Sequence, residues 1–435
     1  MFSSKVSRLL EKIPVSNAIN VDNFKGVERY FRVIKSEYSR MFTQGASKLL
    51  EKETRKISEL QRKQHPRREA LIKTGKHKEL LHLTDVQLDT WFNENSSKDL
   101  YLGNTDLSSY FFPSEIHTEI HRTFDTSEKH SIKYPRSDGK TIEIKVSIEY
   151  ARGSGLSPKE KIMTMMRTLI LGAISPTEKT YDVIIYLSNS KKDFKNTTES
   201  KKLGSSNVNS GVTTIYYDQN TVNQTTVFRR EEMGKLLIHE LIHNLEFDFG
   251  FNKIDELRDL HSLFNVPRGS DILLNEAYTE IVACIINSML CCIESGKTLV
   301  SLQKYLKLEL LFNLFQTAKI LDYYDFSRAE EINMPDDYLG RFNQQSNVLS
   351  YFFLKTALLH NFQGFIEYTD KYTINFCLID AKSHEVQTEF VDLLISSTRR
   401  PDFIDDINQM MRFISENRNR IPEDLSSTLR MTCVE

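Results

Sequence analysis

The stretch VFRREEMGKLLIHELIHNLEF, residues 227–247, contains the pattern HExxH as the five residues from His239 to His243. Residues four apart on a helix lie on one face, with their Cβ atoms about 5–6 Å apart. Both imidazoles can therefore reach one Zn²⁺ ion, whose bonds to histidine nitrogen are about 2.0–2.1 Å long. Glu240 follows the first histidine and would flank this metal, where its carboxylate can take a proton from metal-bound water.

The same stretch has the periodicity of a helix with one buried face. Leu237, Leu241 and Leu245 repeat at intervals of four, which predicts an apolar stripe. Glu231 and Glu232 are predicted to lie in the first turns, where carboxylates suit the positive end of the helix dipole. With 11 histidines in 435 residues, a chance HExxH is expected on the order of 0.02 times. The pattern therefore favours a metal site over an accidental pair on a solvated face.

A catalytic zinc ion needs a third protein ligand. The extended motif HExxHxxGxxH is excluded, because Glu246 stands where glycine is required and Phe249 where the third histidine is required. The next histidine, His261, lies in a polar amphipathic stretch, which favours a solvated or capping side chain. Together with Asp271 and Glu280, it remains an alternative third ligand.

Two carboxylates interrupt the apolar stretch LLNEAYTEIVACIINSMLCCI, residues 273–293. Glu276 and Glu280 are four apart and share a helix face. Buried carboxylates need partners, and a zinc ion and its ligand histidine would provide them. The alternative is a pair of solvated glutamates at the start of a helix.

HELIH followed by NEAYTE, residues 275–280, resembles the active-site helices of the gluzincins, a family of zinc peptidases with HExxH and a downstream NExxx(D/E) helix. The resemblance implies a zincin-like fold, a Zn²⁺ cofactor and a polypeptide substrate. It also implies three zinc ligands, which are His239, His243 and Glu276.

The resemblance assigns roles to two further carboxylates. Glu240 would be the general base, and Glu280 would orient His239 from behind the metal. The chain departs from thermolysin in one respect, since 32 residues separate His243 from Glu276. Residues 244–274 are therefore predicted to loop out between the two helices.

A looser resemblance covers about residues 130–360. The set NVNSG, HELIH, NEAYTE and SNVLSY is similar to metallopeptidases encoded by large DNA viruses. It implies a location in the host cytoplasm or the virion.

The strand before the active-site helix is usually an exposed edge in zincin folds. By resemblance, Gly211, Val212 and Thr213 would bind an extended substrate through main-chain hydrogen bonds, as strand addition requires. The alternative is an internal strand.

Gluzincins also commonly place a tyrosine or histidine where it can stabilise the oxyanion. Tyr351 in SNVLSYFF is the candidate, with His360 and Arg341 behind it. The alternative for Tyr351 is an ordinary aromatic residue of the core.

The remaining pattern predicts an α+β fold. A hairpin is expected from HSIKY and TIEIKVSIEY (141–150), a helix from Ser157-Pro158, and strands at 180–188 and 212–218 before the HELIH helix. We expect three regions, which are a basic helical region (1–100), a zincin-like catalytic domain (101–296) and a helical lobe closing the cleft (297–435).

Composition indicates an intracellular protein in a reducing compartment. The net charge is −2, the five cysteines are odd in number, and most lie in apolar helical runs, which favours free thiols. The N-terminus lacks the apolar core of a signal peptide. The longest apolar run, residues 281–293, is predicted to be too short to span a membrane.

Charge is unevenly distributed along the chain. Residues 1–80 hold 19 Lys/Arg against 9 Asp/Glu, a net of +10, so the remainder carries −12. Such a basic arm could contact nucleic acid or an acidic partner. The favoured alternative is a helical extension that packs on the acidic remainder of its own chain.

These observations together predict a zinc metalloendopeptidase. An exopeptidase is disfavoured because no device for capturing a substrate amino terminus is evident. Two alternatives stay open, which are a zinc-bound scaffold or virion component with a vestigial site, and a protein that binds nucleic acid through its basic arm.

Overall fold

The computed structural model describes residues 27–41, 112–135, 139–175, 180–194, 201–216, 222–249, 262–267, 270, 272–334, 340–375, 378–379 and 383–434. These residues form many helices and two small sheets. The fold is of mixed α+β class, as predicted.

The main sheet has five strands in the order β1-β2-β3-β5-β4. The outer pairs β1/β2 and β4/β5 are antiparallel, whereas β2/β3 and β3/β5 are parallel. The strands are β1 (Thr126–Pro135), β2 (Thr141–Tyr150), β3 (Thr180–Tyr186), β4 (Gly211–Thr214) and β5 (Gln224–Val227).

The hairpin predicted from sequence is confirmed as β1 and β2. In β2 the alternate residues Ile142, Ile144, Val146 and Ile148 are buried, because a strand presents every second side chain to one face. The strand predicted at 212–218 ends at Thr214, with residues 217–218 outside the described ranges, and β5 was not predicted at all. Its sequence QTTV is too short and too polar to show a strand pattern.

Helices make up most of the remaining described structure. A short sheet, β6 (Thr373–Asn375) and β7 (Leu378–Ile379), interrupts the predicted helical lobe. The α-helices are α1 (27–41), α2 (Ser114–Thr123), α3 (Pro158–Ile174), α4 (Ser205–Val208), α5 (Met233–Asn244), α6 (Leu274–Glu294), α7 (Leu299–Tyr323), α8 (Lys355–His360), α9 (Phe362–Tyr372), α10 (His384–Thr398), α11 (Pro401–Asn417) and α12 (Glu423–Ser426). Shorter helical turns are two 3₁₀ segments, Ala329–Asn333 and Arg418–Arg420, and a π-helix, Leu349–Leu354.

The helix that carries HELIH begins later than predicted. It starts at Met233, and Glu232 precedes it in the left-handed conformation, with φ of 60°. Glu232 is fully buried and its carboxylate lies 2.8 Å from the Lys192 ammonium. The prediction that Glu231 and Glu232 lie in the first helical turns is therefore wrong, because Glu232 is held by a buried cation rather than by the helix dipole.

One hydrophobic core cluster joins α1, the sheet, α5, α6 and the C-terminal helices. It therefore crosses the predicted boundary between residues 296 and 297. Within the basic arm, residues 27–41 pack on the rest of the protein through six buried side chains, and the other residues of the arm lie outside the described ranges. The six are Val27, Tyr30, Phe31, Ile34, Tyr38 and Met41.

The apolar run of residues 281–293 is part of α6, a helix of 21 residues that is long and apolar enough to cross a membrane. The structure buries 94% of its most apolar window inside the protein. The prediction that this apolar stretch is too short to span a membrane is therefore wrong as to length, because the stretch is part of a longer apolar helix, whose burial is typical of a core helix.

Four cysteines are free and buried, in accord with the prediction of free thiols, and Cys377 lies outside the described residues. The four are Cys284, Cys291, Cys292 and Cys433.

Helix α5 packs against α3, α6, β4 and β5. Its contact with α3 depends on a glycine, since a Cβ atom on Gly234 would lie 1.7 Å from Nη1 of Arg167. The Arg167 guanidinium is itself fixed, because it donates to Glu294 (2.8 Å) and Asn287 (3.1 Å) on α6. Gly234 therefore lets α3 and α6 close around the start of the HELIH helix.

We predict that Gly234→Ala destabilises the protein by about 1–3 kcal/mol, the usual cost of overpacking. At an unhindered helical position the same substitution would stabilise the protein, because alanine is favoured over glycine there by about 0.8–1.0 kcal/mol. Chemical denaturation measures the difference. In an Arg167→Met background, Gly234→Ala should destabilise the protein less, because the guanidinium is absent. A Gly234→Ala protein more stable than wild type would contradict this explanation of the glycine.

Candidate metal centre

Helix α5 places His239 and His243 side by side. Their rings are 4.8 Å apart between centroids, and their Nε2 atoms are 3.1 Å apart. The opposite face of the helix is anchored in the core by Leu237 and Leu241. The leucine periodicity therefore fixes the direction in which both imidazoles point.

Helix α6 brings Glu276 to the same point. Its Oε2 atom lies 3.3 Å from Nε2 of His239 and 3.6 Å from Nε2 of His243. This oxygen is buried and makes no hydrogen bond among the described residues. The glutamates are not solvated, since the side chains of Glu276 and Glu280 are 14% and 1% exposed. The three residues form a group that could hold a metal ion.

Glu280 lies behind His239, at the position predicted for it. Its Oε1 atom is 3.0 Å from Nδ1 of His239. Two buried lysines contact the same carboxylate, Lys235 at Oε1 and Lys355 at Oε2, the latter at 3.2 Å. Burial would raise the pKa of Glu280, but these lysines and His239 hold it well below its usual value.

Asp248 occupies the matching position behind His243 and was missed from sequence. Its Oδ2 atom is 2.6 Å from Nδ1 of His243, and the Asn275 amide donates to the same oxygen at 3.4 Å. The chain bends back immediately after α5, and Phe247 and Phe249 are buried on either side. A carboxylate between two buried aromatic residues is the signal that could have identified it.

The carboxylates favour positive charge at the centre. Burial would lower the pKa of His239, but Glu276 and Glu280 raise it above its usual value. Burial likewise opposes the charged form of His243, whereas Asp248 and Glu276 raise its pKa well above the usual range. The site therefore stabilises a cation, whether as protons on the imidazoles or as a metal ion between them.

A cavity opens in front of these residues. Its lining includes all the predicted ligand, base and substrate-strand residues, together with Tyr351. The lining residues are Asn209, Gly211, Val212, Thr213, Ile215, His239, Glu240, His243, Asp248, Leu273, Asn275, Glu276, Asn347 and Tyr351.

Strand β4 forms one wall of the cavity and is an edge strand of the main sheet among the strands that the structure describes, which contradicts the alternative of an internal strand. Thr213 donates to the main-chain oxygen (2.8 Å) and to Oε2 (2.9 Å) of Glu240. A Cβ atom on Gly211 would lie 2.6 Å from Oε1 of the same carboxylate. Burial raises the pKa of Glu240, although the two histidines oppose this shift.

Tyr351 faces the metal-binding group across the cavity. Its ring centroid is 6.2 Å from that of His239, and the Asn347 amide lies 3.5 Å from its hydroxyl. The residue lies in the π-helix, an irregularity that is frequent at functional sites.

The two residues predicted to stand behind Tyr351 do not line the cavity. His360 is buried against Asp406, with 3.0 Å between Nε2 and Oδ2. Arg341 pairs with Glu331. The alternative ligands His261 and Asp271 lie outside the described residues.

No protein-family model matches the chain, and neither curated proteins nor solved structures include a significant match to it.

We predict that Glu276→Gln lowers zinc affinity, because an amide is a poorer ligand than a carboxylate for the metal. Glu294→Gln is the matched control, since it alters another buried carboxylate on α6 that serves Arg167 instead. Zinc content after dialysis against a chelator measures both. Equal zinc retention in wild type and Glu276→Gln would show that Glu276 is not the third zinc ligand.

Proposed function

We propose that the protein is a zinc-dependent metalloendopeptidase with a gluzincin-type site on a zincin-like fold. The main support is the triangle formed by Nε2 of His239, Nε2 of His243 and Oε2 of Glu276, with edges of 3.1, 3.3 and 3.6 Å. Ligand atoms of a tetrahedral zinc ion with bonds of about 2.0–2.1 Å are separated by about 3.3–3.4 Å. The three atoms therefore fit one face of such a tetrahedron.

The chemistry of the donors supports zinc in particular. Two histidines and one glutamate form a ligand set used by catalytic zinc sites, which keep a fourth position for water or substrate. The buried Glu276 oxygen has the two imidazole Nε2 atoms as its nearest neighbours. Its charge is therefore balanced either by protons on the imidazoles or by a metal ion at the centre of the triangle.

The carboxylates behind the histidines support the same arrangement. An imidazole that donates its Nδ1 proton to a carboxylate presents the lone pair of Nε2 to a metal. Glu280 stands in this relation to His239, and Asp248 to His243. Both side chains would thus be oriented before the metal binds.

Zinc, when bound, acidifies a water molecule and polarises a substrate carbonyl. Glu240 accepts the proton of the attacking water and delivers it to the leaving nitrogen as the peptide C–N bond breaks. A buried carboxylate with a raised pKa suits both transfers, because the best acid–base groups have pKa values near the working pH. Thr213 holds the carboxylate in place, and Tyr351 would donate a hydrogen bond to the developing oxyanion.

The cavity favours an internal segment of a polypeptide. Its described lining carries charge only at the five residues already assigned roles, and the rest are neutral. A substrate terminus would therefore find no uncommitted charged partner there. The edge strand β4 offers main-chain groups to an extended chain, as in strand addition.

We predict that Glu240→Gln keeps zinc and thermal stability but loses peptide hydrolysis by roughly 10²–10⁴-fold. Hydrolysis of a fluorescence-quenched peptide library, with elemental analysis of the same samples, measures both quantities. Turnover near that of wild type would remove Glu240 from the mechanism. A wild-type protein that binds zinc and cleaves nothing would favour the vestigial scaffold.

We predict that Gly211→Ala lowers kcat at least tenfold while zinc content stays unchanged. The new methyl group would displace the Glu240 carboxylate, and a displacement near 1 Å can cost about 10²-fold in rate. Thr214→Ala, an exposed change in the same strand, is the control and should leave kcat unaltered. Full activity in Gly211→Ala would mean that Glu240 is placed differently.

A further inference from the structure

The C-terminal segment, residues 428–434, is buried although it belongs to no helix or sheet. Six of its side chains are 8% exposed or less, which are those of Thr428, Leu429, Met431, Thr432, Cys433 and Val434. Buried backbone groups require hydrogen-bond partners. In this segment many of those partners are side chains of the helices around the candidate metal centre.

Two buried carboxylates bind the peptide N–H groups of the segment. Residues 431 and 432 both donate to Oε1 of Glu232, at 2.6 Å each. Residues 433 and 434 donate to Oε1 of Glu309 on α7, at 2.9 and 2.8 Å. Hydrogen bonds to a charged group are stronger than neutral ones, so the segment is tied to the start of α5 and to α7.

The segment also contacts the lysines that hold Glu280. The Lys355 ammonium donates to the main-chain oxygen of Met431 at 2.8 Å and to Oε2 of Glu280 at 3.2 Å. Lys235 contacts Oε1 of Glu280, and its ammonium lies 3.9 Å from the Met431 sulfur. A continuous chain of contacts therefore runs from Met431 through the lysines and Glu280 to Nδ1 of His239.

We propose that residues 428–434 form a positioning element of the metal centre. This element acts on His239 through Lys355 and Glu280. The inference rests on the proposed zinc site and adds a part of the chain about 190 residues beyond the HELIH helix. If Met431 moves away, Lys355 loses an acceptor and turns toward the remaining one, Glu280. That carboxylate then shifts from His239, and the imidazole loses the group that fixes its orientation.

The test changes Glu309, which anchors the segment and does not line the cavity. Glu309→Leu removes the acceptor for the N–H groups of residues 433 and 434. Zinc affinity should fall about 10–100-fold, the usual effect of losing support behind a ligand. The absorption spectrum of the Co²⁺-substituted protein should change as well. Glu309→Gln keeps an acceptor oxygen and should restore both properties.

Asp406→Leu is the matched control. It also removes a buried carboxylate from a C-terminal helix, but the partner of Asp406 is His360. Both leucine variants should lower the melting temperature. Measured well below that temperature, zinc affinity and the Co²⁺ spectrum should change only in Glu309→Leu. Equal changes in both variants, or none in Glu309→Leu, would overturn the inference.

A milder variant keeps the test decisive if Glu309→Leu does not fold. Thr432→Val preserves side-chain shape and removes only the hydroxyl that donates to Glu309. It should weaken zinc binding in the same direction, and unchanged affinity would overturn the inference. A wild-type protein that binds no zinc would refute the proposed function, whereas normal zinc binding in every variant would refute the positioning role alone.

Discussion

The close packing of α5 against α6 is the interaction on which the site depends. It brings Glu276 within 3.3–3.6 Å of two imidazole nitrogens that the helix repeat has already placed side by side. Two buried histidines and a buried carboxylate are unfavourable apart, because each polar group loses water on burial. Together they form a cluster that stabilises a cation, either as protons on the imidazoles or as a metal ion between them.

Further buried ion pairs surround the three candidate ligands. Glu280 is balanced by Lys235 and Lys355, and Glu232 by Lys192. Buried ion pairs add little net stability, but removing one partner is strongly destabilising. The charges around the centre therefore come from distant parts of the chain, and one core cluster reaches from residue 27 to residue 434.

The features that could be predicted from the sequence are those that a local repeat of apolar or polar residues encodes. Helical spacing predicted the shared faces of the HELIH pair and of Glu276 and Glu280, and strict alternation predicted β2. The sequence could not reveal Asp248, whose role depends on how the chain turns after α5, or β5, which is a strand only because β3 and β4 flank it. Contacts of the C-terminal segment with Glu232 and Glu309 join residues more than 100 positions apart, so no local pattern records them.

X-ray absorption at the zinc edge of the purified wild-type protein tests directly whether His239, His243 and Glu276 hold a zinc ion. We expect one zinc ion per chain, with only nitrogen and oxygen neighbours at about 2.0–2.1 Å and the outer-shell scattering of two imidazoles. A protein without stoichiometric zinc, or zinc with sulfur neighbours at about 2.3 Å, would contradict the assignment of His239, His243 and Glu276.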